Sequence, residues 1–479
     1  MPLDHAAPHE TDIAVIGAGP AGLAAAAFAA EAGANVVLLD EQMEAGGQIY
    51  RGVGSASEAR LRLMGADYRG GKALLAPLAS DRIRHICDAT VWEVTREKSI
   101  SYSVGGMAHQ MTARRIIVAT GATERPMPFP GWTLPGVLTA GAGQVLLKTA
   151  GLLPPQPVVL CGSGPLLYLV GVQLLAAGQT VAALVDTTPN GNLRRALPYL
   201  LGGFRGHPTL RKGLGLLWRL RRSGLPLFRA ATALHAVGAE RIEALSFTAG
   251  GREHQIECAT LLIHTGVVPN VQISRSLDLD HDWDDLQGCW RPRVDLMGRS
   301  SVADIFVAGD GAGIAGAEAA VPSGRLAAMA ALEGLPGVRQ GLERQTTQER
   351  KALERHRGVR PFLDALFAPA TDFLEPPDAT IVCRCEEVTA GQIRGFVDLG
   401  CLGPNQAKSY GRCGMGPCQG RYCGLTVSNL IAAERGVPTS DVGYFRLRPP
   451  LKPITIGELA SMDRSVDSGE TDHDQAPAA

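Results

Sequence analysis

Cys383 and Cys385 form a Cys-x-Cys pair, and three more cysteines follow in the run Arg412-Cys413-Gly414-Met415-Gly416-Pro417-Cys418-Gln419-Gly420-Arg421-Tyr422-Cys423. With Cys401 between them, six of the chain's ten cysteines crowd into this one segment. Iron–sulfur clusters are held by four thiolates, and two facing, glycine-surrounded cysteine pairs supply four sulfurs without consuming hydrophobic core. Disulfides fit less well, because the N-terminus from Pro2 to Glu10 is polar and shows no apolar leader, which points to a reducing compartment. Zinc sites usually space paired cysteines by two to four residues, wider than Cys383 and Cys385. The expectation is a [2Fe–2S] cluster on Cys383, Cys385, Cys418 and Cys423, with Cys413 open as a reserve ligand and a zinc or sensory module as the alternative. Cys401, between Gly400 and Leu402, reads as a buried residue at a helix end.

A second chemistry opens the chain. The strand-like run Asp12 to Ile16 leads into Gly17-Ala-Gly19-Pro20-Ala-Gly22 and an alanine-rich helix. In this spacing the first glycine makes a tight turn, the second lets backbone approach a pyrophosphate, and the third lets helix pack on strand. The pyrophosphate would sit at the helix N-terminus, where free N–H groups and the dipole favour negative charge. A second apolar run, Asn35 to Leu39, ends in Asp40 and Glu41, where an acid accepts from ribose hydroxyls. Asp40 is the preferred acceptor because it directly ends the run.

Two further strands close on small-residue turns: Ile116-Ile-Val-Ala-Thr120-Gly121 and Ile305-Phe-Val-Ala-Gly309-Asp310. Together with the first motif they resemble the flavoprotein oxidoreductases built from two dinucleotide-binding domains. That resemblance implies FAD on Gly17, Gly19, Pro20, Gly22, Asp40 and Glu41, with Thr120 and Gly121 approaching the flavin and Gly309-Asp310 bonding the ribityl and pyrophosphate region. The run Gly46 to Arg51, with Gly47 and Gln48, matches a segment that passes the flavin in these proteins.

The run Val158 to Ser163, followed by Gly164-Pro165-Leu166-Leu167, begins an inserted unit of the same kind, and its next strand, Val181 to Val185, ends in Asp186. Leu167 stands where the third glycine belongs, which leaves an NAD(P)H site here open. Disulfide reductases of this superfamily need a redox cysteine pair beside the flavin, but Cys87, Cys161, Cys258 and Cys289 are isolated in sequence. No nucleophile elbow or His-Glu-x-x-His motif is present. His264, on an apolar run, reads as a satisfied core residue, and no general acid or base is assigned.

At 479 residues, with 45% hydrophobic residues and 58 glycines, the composition suits a doubly wound α/β protein. The expected division is 10–150 and 271–338 as two parts of an FAD domain, 151–270 as the inserted dinucleotide-like domain, 339–378 as a charged linker, 379–446 as a small helical cysteine domain, and 447–479 as a tail, unstructured from Ser461. No apolar stretch is long enough to span a bilayer. Between Thr187 and Ala239 there is no acidic residue while arginines accumulate. That segment suits a phosphate, a membrane surface, an acidic partner chain or simple solvation. A formal net charge of −1 argues against nucleic acid.

The combination of this flavoprotein body with Cys383-Arg-Cys-Glu-Glu-Val388 and Gly414-Met-Gly-Pro-Cys-Gln-Gly420 resembles the FAD-containing α or A subunits of heteromeric bacterial amine dehydrogenases. These include opine oxidases, hydrogen cyanide synthase, and D-hydroxyproline and L-proline dehydrogenases, with a bacterioferritin-associated-ferredoxin-like [2Fe–2S] domain at the C-terminus. The resemblance implies an FAD-dependent oxidoreductase acting on CH–NH or CH–NH2 donors as one subunit of a complex. A partner β-type flavoprotein of the amino-acid-oxidase kind would oxidise the small-molecule amine, with a small third subunit in some complexes, and electrons would pass to this chain. A cytoplasmic location follows, at the inner face of the membrane through the complex or peripheral contact. The alternative is a self-sufficient NAD(P)H-dependent FAD/[2Fe–2S] oxidoreductase.

Overall fold

The computed structural model describes residues 10–205 and 207–467, so the polar N-terminal stretch and the acidic end of the tail lie outside the described residues. The strand Glu10–Ile16 lies between Val36–Leu39 and Met107–Val118, parallel to both. All four residues of Val36–Leu39 are buried, as expected of a parallel strand covered on both faces. The late strand Ile305–Val307 adds in parallel to the far end of Met107–Val118, completing a seven-stranded sheet. Sequence distant by the whole of the inserted unit thus returns to finish the first sheet.

That inserted unit has its own five-stranded parallel sheet, with Val158–Ser163 between Val181–Asp186 and Thr260–Thr265. Its helix Pro165–Ala176 buries Leu167 completely among Leu160, Leu174 and Leu220. The substituted third glycine position therefore serves as core. The fold is α/β with two Rossmann-like sheets, as the glycine turns predict.

The charged stretch after residue 339 is helical, Glu343–Arg357, and Leu353 buries against the first domain. The cysteine segment forms the short hairpin Ile381–Cys383 and Val388–Thr389 and the helices Ala390–Asp398, Pro404–Gly411 and Gly424–Arg435. Thr389 and Gln392 close a capping box on the first of these. Cys401 is buried just past that helix, as its apolar neighbours suggest. One continuous apolar cluster joins Val382, Val427 and Ile431 of this segment to Ile16, Leu39 and Val118 of the first sheet. The cysteine segment is therefore welded to the dinucleotide fold rather than tethered to it.

The tail departs from expectation. Helix Ile456–Asp467 takes in Ser461 and the residues to Asp467, the first part of the stretch that composition marks as unstructured, and the rest of that stretch lies outside the described residues. Thr455 accepts from the Glu458 N–H at its start, and Ser461 Oγ accepts from the Ala108 N–H at 2.9 Å. Local capping and one tertiary bond outweigh the polar composition.

Candidate functional site: one cavity between a glycine turn and a cysteine loop

A cavity of about 910 Å³ runs along the C-terminal ends of the first sheet's strands, where open α/β sheets bind their ligands. Gly17, Gly19, Pro20, Asp40, Glu41, Gly47, Gln48, Thr120, Gly121, Gly309 and Asp310 all line it. Gly22 does not; it does the packing job its position implies, since a Cβ there would meet the Gly17 carbonyl oxygen at 1.8 Å. Helix Pro20–Glu31 begins with no side-chain cap and no acid in its first turn. Its free N–H groups are left for an anionic occupant.

The acidic residues are more committed than sequence suggests. Asp40 is only 6% exposed, with Oδ2 accepting from the Ala18 N–H at 2.5 Å and Oδ1 from Gln42 at 2.8 Å. Burial still pushes its carboxyl above the ordinary range, against those two bonds. The expected ribose acceptor is thus first a brace for the glycine turn. Glu41 pairs with Lys452, 411 positions away. Asp310 takes the N–H groups of Ala315 and Gly316, both at 2.8 Å and both on Oδ1, which leaves Oδ2 for a cavity occupant.

Sequence reasoning missed a pair on the same cavity wall, a buried histidine and a partly buried glutamate. His264 Nδ1 and Glu124 Oε1 are 2.7 Å apart, and Glu124 Oε2 accepts from the Gly141 N–H at 2.9 Å. His264, read from its apolar strand as a satisfied core residue, is indeed satisfied and buried, but it faces the cavity. Arg125, also on the wall, is a buried cation whose guanidinium donates to the carbonyls of Gly288, at 3.0 Å, and Gln287.

The cavity extends to Gly164 and Pro165, where the second dinucleotide-type helix begins. Asp186, the strand-end acid of that unit, is occupied: Tyr168 Oη donates to its Oδ2 at 2.7 Å and the Thr188 N–H to its Oδ1 at 2.8 Å.

Four cysteines converge beside the other end. Cys423 contacts both Cys383 and Cys418, and Cys418 contacts Cys385. Contact with Cys423 and the N–H groups of Gly414, Glu386 and Cys385 bring the Cys383 thiol down to about 6. Contact with Cys423, and the N–H groups of Tyr422 and Gly420, lower Cys418 as well. Cys423 is correspondingly raised by its bonds to Cys383 and Cys418, and burial raises Cys385. Gly416 is required here, because a Cβ would lie 2.3 Å from that of Cys385. Cys413 is fully buried and pushed up to about 12 by burial. Among the described residues no group of three or more His, Cys, Asp or Glu is disposed as it stands to hold a metal ion; the four thiols instead form a chain of pairwise contacts.

The two regions meet. Arg421 and Tyr422, inside the loop that carries Cys418 and Cys423, line the dinucleotide cavity. Gln272, on the same wall, donates from Nε2 to the Gln419 carbonyl at 3.3 Å. Leu451 and Lys452 close a further side of the cavity.

Residues 11–190 match the family described as pyridine nucleotide-disulphide oxidoreductase, and residues 379–462 match the sarcosine oxidase A3 domain, reaching past the expected domain end at 446. Among the opine oxidase A subunits, the chain is 42% identical over 455 residues to that of Rhizobium meliloti (strain 1021), covering 94% of this chain and 98% of that protein. It is 31% identical over 473 residues to hydrogen cyanide synthase subunit HcnB of Pseudomonas protegens, covering 94% and 98% respectively. The structure of L-proline dehydrogenase from P. horikoshii superposes with a TM-score of 0.68 at 18% identity, over 94% of this chain and 79% of that one, which shows a common fold.

Proposed function

This chain belongs to the family of the opine oxidase A subunits, and from that premise we propose that it is the electron-transferring FAD and iron–sulfur subunit of a heteromeric enzyme that oxidises a secondary amine or amino acid. The observation that carries this reading is the shared wall: Arg421 and Tyr422 belong both to the Cys418–Cys423 loop and to the dinucleotide cavity. FAD suits the cavity by the chemistry of its donors, a glycine turn and an uncapped helix N-terminus for the pyrophosphate, and Asp310 Oδ2 for the hydroxyl-bearing chain. A [2Fe–2S] cluster suits the four thiols, two of them lowered toward thiolate and fed by backbone N–H groups.

When bound, a flavin takes electrons in pairs while a cluster passes them singly, which is the reason to hold both in one chain. The chain's own residues do the rest. Asp40 braces the phosphate turn, Asp310 holds the loop at Ala315 and Gly316, and Gln272 ties the cavity wall to the cysteine loop. The C–N bond would be oxidised at a partner flavoprotein subunit, so the amine (an opine, D-hydroxyproline, proline or glycine) is selected outside this chain.

A second reading, a self-sufficient NAD(P)H-dependent reductase, draws on the cavity's reach to Gly164 and Pro165. Against it stand Leu167 in the core and Asp186 already bonded twice. Anaerobic absorbance spectra of the purified chain, with iron and labile-sulfide analysis, test both. Flavin and cluster bands that stay oxidised under NADH or NADPH support the subunit reading. Bleaching by either nucleotide favours the reductase, and the absence of iron and sulfide removes the cluster.

A further inference from the structure

The crossover between the strands Val181–Asp186 and Leu227–Phe228 is a helical arc rather than one plain helix: Asn192–Ala196, Leu197–Tyr199, Leu200–Arg205 and His207–Arg222. Its last helix is amphipathic in an unusual sense. Leu216 and Leu220 face inward and pack against helix Pro165–Ala176, which satisfies the core. The opposite side carries a second apolar pair four residues apart, Leu214 at 67% and Trp218 at 60% exposure. Spacings of three and four residues put Arg211, Arg221 and Arg222 around that pair, and all three are exposed. The Arg222 guanidinium lies over the Trp218 ring, 5.3 Å from its centroid. Earlier in the arc Leu193, Leu197 and Leu201 are exposed at 58%, 55% and 82%, beside exposed Arg194 and Arg195.

Packing explains none of these outward leucines, and their charge environment is one-sided, since no Asp or Glu occurs from Thr187 to Ala239. Asp67 pairs with Lys212 and with none of these arginines. Leucines and a tryptophan set within arginines match the boundary of an anionic bilayer, where apolar side chains enter the acyl region and the guanidinium groups reach lipid phosphates. No helix among the described residues is long and apolar enough to cross a membrane, so contact would be from one side.

We propose that this arc, centred on Leu214 and Trp218, docks the protein peripherally on an anionic phospholipid surface. The inference stands on the exposure and charge of the arc and is independent of the cofactor reading. It is tested by co-sedimenting the full-length protein with vesicles of phosphatidylcholine alone and of phosphatidylcholine with phosphatidylglycerol, at low and high salt. The expected result is binding to the phosphatidylglycerol vesicles that falls with salt and drops about tenfold in Arg221→Gln/Arg222→Gln. Leu214→Ser/Trp218→Ser, on a solvent face, should weaken it at least as much, while Leu399→Ser, exposed on the cysteine domain, leaves it unchanged; far-ultraviolet circular dichroism confirms each fold. Failure of the wild type to bind anionic vesicles, or equal binding by the arc variants, overturns the proposal. So does an arc variant that binds vesicles normally but no longer co-purifies with a co-expressed partner subunit, which would make the arc a protein interface.

Discussion

Gln272 Nε2 donates to the backbone carbonyl of Gln419, 147 positions later in the chain, at 3.3 Å. Gln272 lines the dinucleotide cavity and Gln419 directly follows Cys418, so this bond crosses from the cavity wall to the cysteine loop. Gln272 is 4% exposed, which makes the bond one that water does not replace. Gln272→Ala should lower thermal stability by about 1 kcal/mol and slow electron passage from flavin to cluster more than it changes flavin content. Stopped-flow reduction of the intact complex, read separately at flavin and cluster wavelengths, checks it.

Cys418→Ser should remove iron and labile sulfide while leaving FAD in place, because Cys418 touches both Cys385 and Cys423. Cys413→Ser should retain both cofactors, since that thiol lies outside the chain of contacts that joins Cys383, Cys423, Cys418 and Cys385. Metal analysis beside the flavin spectrum separates them. Normal iron in Cys418→Ser would show that another set of thiols is used.

Asp310→Ala removes the carboxylate that holds the N–H groups of Ala315 and Gly316. Losing charge-assisted bonds of this kind costs about 1.5–3 kcal/mol, so FAD should dissociate about tenfold or more too easily. Equilibrium dialysis of the flavin measures the change.

Glu124→Ala leaves His264 buried without its 2.7 Å partner and frees the Gly141 N–H. An orphaned buried polar group costs about 1–3 kcal/mol, and the expected drop in denaturant midpoint should be largely restored in Glu124→Gln, which keeps an acceptor.

Lys148 supplies a pH dependence. It is 5% exposed, its Nζ donates to the Gln48 carbonyl at 3.0 Å, and burial beside Arg51 lowers it from 10.5 to about 7. Between those two values the unfolded chain binds the proton and the folded one does not, so stability rises with pH through that window and levels below it. Lys148→Met should abolish this slope and gain most, relative to wild type, near the lower end. Thermal melts across the window give the sign.

The parts that were legible in sequence are those where backbone geometry forces a residue type within a few positions. Gly22 announces itself because helix and strand leave no room for a Cβ, and the strand ends at Thr120, Gly121 and Asp310 are marked by small residues after apolar runs. Glu124 and His264 lie 140 positions apart, and neither has a neighbour in sequence that betrays the other. Asp40 shows the reverse: its place after Leu39 is evident, but the use of both its oxygens on Ala18 and Gln42 depends on how the turn folds back over it. The helix through Asp467 was hidden for a similar reason, since Ser461 meets Ala108, 353 positions away, only in three dimensions.

The segment after the cysteine helices returns to the first domain, with the Leu451 N–H donating to the Trp92 carbonyl at 2.8 Å and Lys452 pairing with Glu41. Because Leu451 and Lys452 form part of the dinucleotide cavity wall, that wall is finished by residues that follow the whole cysteine segment in the chain. The flavin pocket is consequently not portable: cutting the chain at the end of the second sheet, or grafting the N-terminal sheet onto another protein, yields a compartment with one side open.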